Sequence, residues 1–93
     1  MTDMFNQLEK IINERKKYPI ESSYTSSLFQ EGRAKIAQKV GEEATEVIVA
    51  ALAQDREEQI GELADLFYHT LVLMAEIDIS LEDVQTELEK RHK

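Results

Sequence analysis

An all-α fold is what this chain of 93 residues predicts: an antiparallel bundle of four main helices plus a short turn helix in the N-terminal region, assembling as a dimer. Three observations carry that expectation. Only 3 glycines and 1 proline punctuate the sequence, which leaves little turn material. Apolar residues recur at helical rather than alternating spacing, and residues suited to cap a helix precede most of the runs. The gaps between the long runs are very short, which makes antiparallel neighbours of consecutive helices. No repeat, linker or low-complexity segment interrupts the chain, so a single domain is expected over residues 1–93.

The first helix is predicted from about Asp3, its cap, to Lys16, with Phe5, Leu8, Ile11 and Ile12 at helical spacing. Pro19 then breaks the pattern, and "YPIESSYTSS" has the composition of a loop leading into a helical turn over Tyr24 to Gln30, closed by Gly32. The second long helix spans about Arg33 to Gln54, with Ile36, Val40, Val47, Ile48 and Ala51 as its stripe. Asp55 with Glu58 resembles a capping box for a third long helix reaching about Ile77. Ser80 with Asp83 opens a fourth, which ends near Arg91 and turns Leu81, Val84 and Leu88 to one side. Within the third long helix, "LADLFYHTLVLMA" is apolar nearly all round. A helix of that kind is buried on most sides. A domain this small buries only roughly 60–65% of the surface of its unfolded chain. A second subunit is therefore expected against this helix, with Leu66, Leu73 and Met74 in the core of a two-fold dimer.

Charge narrows the function. With 19 acidic against 11 basic residues and a formal net charge of −8, the chain lacks the basic face of a nucleic-acid binder. It has no cysteine for disulfides or thiolate metal sites, no start resembling a signal peptide, and no apolar run long enough to span a bilayer. A cytoplasmic protein with no membrane partner is the expectation. An anionic substrate can be held by such a protein only through local bases, helix N-termini or bridging cations.

The acids are unevenly placed. In "KVGEEATEVIVAAL", Glu43 falls inside the apolar stripe, within about 20° of Ile36 on a helical wheel. Glu46 lies one turn on, and Glu42 is within i,i+4 reach of Glu46. On the next long helix Glu62 and Asp65 repeat the spacing and share a side with Glu58 and His69. Antiparallel packing brings the two pairs face to face. Like charges at such spacings cost roughly 0.2–0.5 kcal/mol per pair even when exposed, and burial adds to that. Lys35 and Lys39 precede the cluster but do not neutralise it. A divalent cation does, and hard Mg²⁺ takes oxygen ligands while keeping waters for a phosphate-bearing substrate. Against this stands a plain solvated acidic face. His69, flanked by Tyr68 and Leu71, reads as a packed histidine rather than a ligand. Lys39 either pairs with Glu43 or holds a phosphate. Tyr24 and Thr25, in "ESSYTSS", offer hydroxyls near a helix start for phosphate or ribose, unless Tyr24 and Ser22 merely pack and cap.

The segments "SYTSSLF", "KIAQKVGEEATEVIVAAL" and "GELADLFYHTLVLM" resemble the phosphoribosyl-ATP pyrophosphatase family of histidine biosynthesis, from about Glu21 to the C-terminus. E-E-x-x-E followed by E-x-x-D is shared with the wider all-α (MazG-like) NTP pyrophosphatase superfamily. The narrower likeness rests on "SYTSSLF", on the join from Lys39 to Glu43, and on "DLFYHTLVL". The resemblance implies a dimeric Mg²⁺-dependent hydrolase that cleaves the α–β phosphoanhydride of phosphoribosyl-ATP. Glu43, Glu46, Glu62 and Asp65 take the metal-ligand positions. Glu42 takes the remaining acidic one, as a ligand or as the group orienting a water, and Glu42 and Glu43 are the catalytic candidates. Tyr24, Thr25, Lys35 and Lys39 are the candidates for the substrate. A separate cyclohydrolase is expected for the following step. Two rivals stand beside this: a house-cleaning NTP or dUTP pyrophosphatase of the same superfamily, and a non-catalytic acidic helical module.

Overall fold

The structure, a computed structural model, describes residues 3–92, which form five α-helices and no strand. They are α1 (Met4–Lys17), α2 (Tyr24–Glu31), α3 (Arg33–Ala53), α4 (Arg56–Glu76) and α5 (Leu81–Arg91). The N-termini obey local chemistry. Asp3 accepts from the Asn6 amide at 3.3 Å, Ser23 from Ser26 at 3.1 Å, and Asp55 from Glu58 at 2.9 Å, each satisfying an orphan helix donor. Ser80 and Asp83 form a full capping box, whereas Asp55 supplies its half alone. Between α2 and α3 stands Gly32, at φ 96° and ψ 172°, a backbone conformation open essentially to glycine only.

The core gathers Ile12 of α1, Leu28 of α2, Ile36 of α3, and Leu71, Val72 and Ala75 of α4. Helix α4 packs on both α1 and α3, and α2 on the same two. The C-terminal carbonyls of α4, whose own last turn has no base, are met by the Ile77, Asp78 and Ile79 amides and by two bases from other helices. Lys16 Nζ donates to the Ala75 carbonyl at 2.7 Å, and Arg33 Nη2 to that of Glu76 at 3.3 Å. Both cations also suit the negative end of the helix. Helix α5 buries no residue and is tied at its start by the Leu81 amide, which donates to Glu9 Oε2 at 2.8 Å.

One expectation about faces needs correction. The buried line of α3 is Ile36, Glu43 and Ala50, while Ile48 is 60% exposed and Ala51 is exposed as well. Leu66, Leu73 and Met74, expected at a dimer core, are half-buried within the protomer, the latter two against its own core, and each keeps some open surface. On α3 and α4 the large apolar residues most in the open are Ile48, Val49 and Leu52 and then Ile60, Leu63 and Phe67. The cause is one of phase. Helices α3 and α4 each carry more apolar residues than one seam can bury, and the seam between them is shared with the acids.

Candidate metal and substrate site

The acids sit where α3 meets α4. Ile36, Glu43 and Ala50 recur every seven residues, two helical turns apart, so the packing that buries the two apolar residues also buries Glu43, which is 7% exposed. Its carboxyl is raised to about 7, first by a hydrogen bond shared with Glu46, then by burial and the Glu46 charge, with Asp65 adding and Lys39 opposing. A carboxyl beside a second carboxylate, and taken out of water, keeps its proton to a higher pH than an ordinary glutamate. From α4, Glu62 is also raised, chiefly by burial, with Glu46 and Asp65 contributing. Glu43, Glu46, Glu62 and Asp65 therefore feel one another across the two helices.

Glu42 stands apart. It accepts from Gln38 Nε2 at 2.7 Å and pairs with Lys39 Nζ at 3.6 Å. Those contacts, Gln38 foremost, hold its carboxyl below the usual value, and Lys35 adds to the effect. Lys39 is raised above the ordinary lysine value, most by Tyr24 and further by Glu43 and Glu42, against a partial loss of hydration. One ammonium thus lies between the acidic cluster and the α2 N-terminus.

The hydroxyl-rich stretch is largely consumed by structure. The cap of α2 is Ser23 rather than Ser22, and buried Ser26 accepts from the Ile20 amide at 3.0 Å, pinning the preceding loop. Ser27 donates to the Tyr24 carbonyl at 2.6 Å. Thr25 is hydrogen-bonded to the Tyr68 hydroxyl, so its oxygen is shared with α4. Tyr24 remains half-exposed, with its hydroxyl 3.1 Å from His69 Nε2.

His69 is packed, as the sequence reading has it, and its partners are what the sequence did not report. It is buried, its Nδ1 lies 2.8 Å from the Asp65 carbonyl, and the same nitrogen is 3.9 Å from Glu43 Oε1. Its ring joins α2, α3 and α4. The only local signal was its i,i+4 relation to Asp65, which any packed helical histidine shares. Among the described residues no buried side-chain nitrogen or oxygen lacks a partner.

The donor set fits a hard divalent cation: four carboxylates, no sulfur, and a proton kept to higher pH where positive charge is favoured. Among the described residues no three acids or histidines converge into a ready-made ligand cage. The open groove of about 340 Å³ beside Phe5, Phe67, Met74, Leu81, Val84 and Leu88 holds none of these acids and is apolar.

Residues 5–92 match the family profile described as phosphoribosyl-ATP pyrophosphohydrolase. A Clostridium botulinum protein named phosphoribosyl-ATP pyrophosphatase is 52% identical over 91 residues, covering 98% of this chain and 83% of that protein. One of the same name from Bacillus mycoides is 49% identical over 92 residues, covering 99% and 86%. A histidine biosynthesis bifunctional protein of Oceanobacillus iheyensis is 51% identical over 86 residues, which is 92% of this chain but only 40% of that longer protein.

Proposed function

The chain belongs to the phosphoribosyl-ATP pyrophosphohydrolase family, and from that premise we propose that it hydrolyses the α–β phosphoanhydride of phosphoribosyl-ATP to phosphoribosyl-AMP and pyrophosphate, with Mg²⁺ held by Glu43, Glu46, Glu62 and Asp65. The observation that carries the metal assignment is Glu43, buried on the α3 line between Ile36 and Ala50, with its carboxyl keeping a proton to about 7 beside Glu46 and Asp65. A cation placed there replaces that proton and turns a repulsive cluster into a ligand set. When bound, the metal offsets the substrate's charge and acidifies an attacking water.

The chain's own residues do the rest. Lys39 and Lys35 sit on the first two turns of α3, before the acids, and meet the phosphate charge that the acids repel. A carboxylate of the cluster left uncommitted by the metal would accept the water's proton. Glu42, held low by Gln38 and Lys39, is a weaker base and serves better to position Lys39 or a water. The family's place in histidine biosynthesis fits a cytoplasmic enzyme.

The assembly we infer is a two-fold dimer. Only two residues, Gln54 and Asp55, connect α3 to α4, which favours antiparallel packing of the pair. Leu52 is 83% exposed, Ile60 54% and Phe67 49%, and with Ile48, Val49 and Leu63 they extend the apolar surface of both helices beyond what the protomer covers. An open face of that kind marks an interface, and an isologous one covers it with itself. Sedimentation at micromolar concentration is expected to give twice the mass of 10.7 kDa. A monomer there removes this part of the proposal.

Pyrophosphate release from phosphoribosyl-ATP, compared with a panel of NTPs and dUTP in the presence of Mg²⁺, tests the activity. Turnover of phosphoribosyl-ATP at least about 100-fold above every NTP is expected, the discrimination a site built to bond a substrate's polar groups achieves. Preference for dUTP or another NTP reassigns the substrate.

A further inference from the structure

Tyr24, His69 and the Asp65 carbonyl form one hydrogen-bonded chain whose direction can be read from its inner end. A main-chain carbonyl only accepts, so the proton of the 2.8 Å bond belongs to His69 Nδ1. A neutral imidazole with that proton leaves Nε2 as an acceptor. The Tyr24 hydroxyl, 3.1 Å away, then donates inward to Nε2. Its proton is spent inside the protein, and what it turns outward is oxygen lone pairs. Tyr24 is 53% exposed, so its ring reaches open solvent while its hydroxyl stays tied to His69.

We propose that His69 is a positioning residue that presents Tyr24 to the substrate as a hydrogen-bond acceptor, and that Tyr24 reads a hydroxyl of the ribose carrying the triphosphate. Lone pairs repel the oxygens of an ionised phosphate, so Tyr24 is mismatched to the anionic part of a nucleotide. That part goes to the bases of α3 and the acid-bound metal, beside which Tyr24 is held through His69, 3.9 Å from Glu43. Beside a phosphate held by Lys39, the next donors along the nucleotide are ribose hydroxyls, and the bases lie beyond them. The arrangement separates the labour: Lys39 and the acid-bound metal take charge, while Tyr24 takes the neutral sugar. It also explains why a histidine is buried next to acids without pairing with them closely; its 3.9 Å approach to Glu43 is longer than either of its hydrogen bonds.

The inference rests on phosphoribosyl-ATP as substrate, and the test separates the two. Steady-state kinetics are measured with phosphoribosyl-ATP and with its analogues made from 2′-deoxyATP and 3′-deoxyATP. For the wild type, KM is expected to rise about tenfold with one of the two analogues, the worth of one hydrogen bond, while kcat stays within a factor of about two. Tyr24→Phe is expected to show that higher KM with the natural substrate and no further rise with the same analogue. His69→Ala in the Tyr24→Phe background is expected to add nothing to KM, because it acts through Tyr24. In parallel, ¹⁵N NMR of histidine-labelled protein carrying His92→Gln reads the tautomer without any substrate, and the Nδ1–H form is expected. An Nε2–H tautomer, an unchanged KM in Tyr24→Phe, or an equal analogue penalty in wild type and variant overturns the proposal, even if His69→Ala fails to fold. A wild type that turns over no phosphoribosyl-ATP defeats the broader reading instead, and this inference with it.

Discussion

Glu43 is the residue on which stability and activity pull in opposite directions. Its carboxyl, raised from 4.5 to about 7, binds a proton more tightly in the folded chain than in the unfolded one. Folding of the metal-free protein is therefore favoured fully below about 4.5 and loses that contribution as pH rises through about 7. Glu42 works the other way, since its lowered carboxyl gives stability that is lost only as pH falls below the ordinary carboxylate range. Urea unfolding in EDTA is expected to show stability declining between pH 5 and pH 7.5, and saturating Mg²⁺ is expected to remove the decline. Glu43→Gln should flatten the metal-free profile while costing at least about 100-fold in turnover. A variant that keeps both the slope and the rate sinks the role assigned to this residue. The position of Glu43 was legible in the sequence, because a seven-residue interval from Ile36 to Glu43 to Ala50 is a helical face whatever the residues are. The bond from His69 to Tyr24 was not. It joins residues 45 apart, and no local spacing reports how α2 meets α4.

At the level of elements, caps and punctuation explain most of the boundaries. Asp3, Ser23, Asp55 and Ser80 each satisfy an amide three residues on, and the helices begin within a residue or two of where those side chains predict. Gly32 ends one helix and begins another in a single residue. Gly32→Ala is expected to destabilise the protein by about 1–3 kcal/mol, read from the urea midpoint, because its backbone angles exclude a Cβ. Nothing lies within 4 Å of the added carbon, so backbone strain alone carries that cost. The trans-capping of α4 by Lys16 was invisible beforehand, since the donor and the Ala75 carbonyl are 59 residues apart. Lys16→Met is expected to lower stability by about 1 kcal/mol and to speed hydrogen exchange at the end of α4. Exchange unchanged from wild type there would show the bond to be incidental.

The whole molecule looks unfinished alone. Its protomer core consists of a few side chains from α1 to α4, while α5 contributes no buried residue and α3 and α4 leave Leu52, Ile60 and Phe67 uncovered. The all-α class was legible from the scarcity of turn residues and the spacing of apolar ones. Which apolar residues face outward was not, because α4 is apolar nearly all round and its phase is set by what α1 and α3 have already covered. Leu52→Lys is accordingly expected to halve the sedimenting mass and to lower activity only as far as the site needs the dimer to hold α3 against α4. A variant that sediments like the wild type would move the interface elsewhere. The central claim is that acids from α3 and α4 jointly hold the metal that acts on phosphoribosyl-ATP. Its most direct test is pyrophosphate release from phosphoribosyl-ATP across a Mg²⁺ titration for wild type, Glu43→Gln and Asp65→Asn. Saturable Mg²⁺ dependence in the wild type and a loss of at least about 100-fold in both folded variants is the predicted result. Turnover independent of Mg²⁺, or wild-type turnover in both variants, contradicts it.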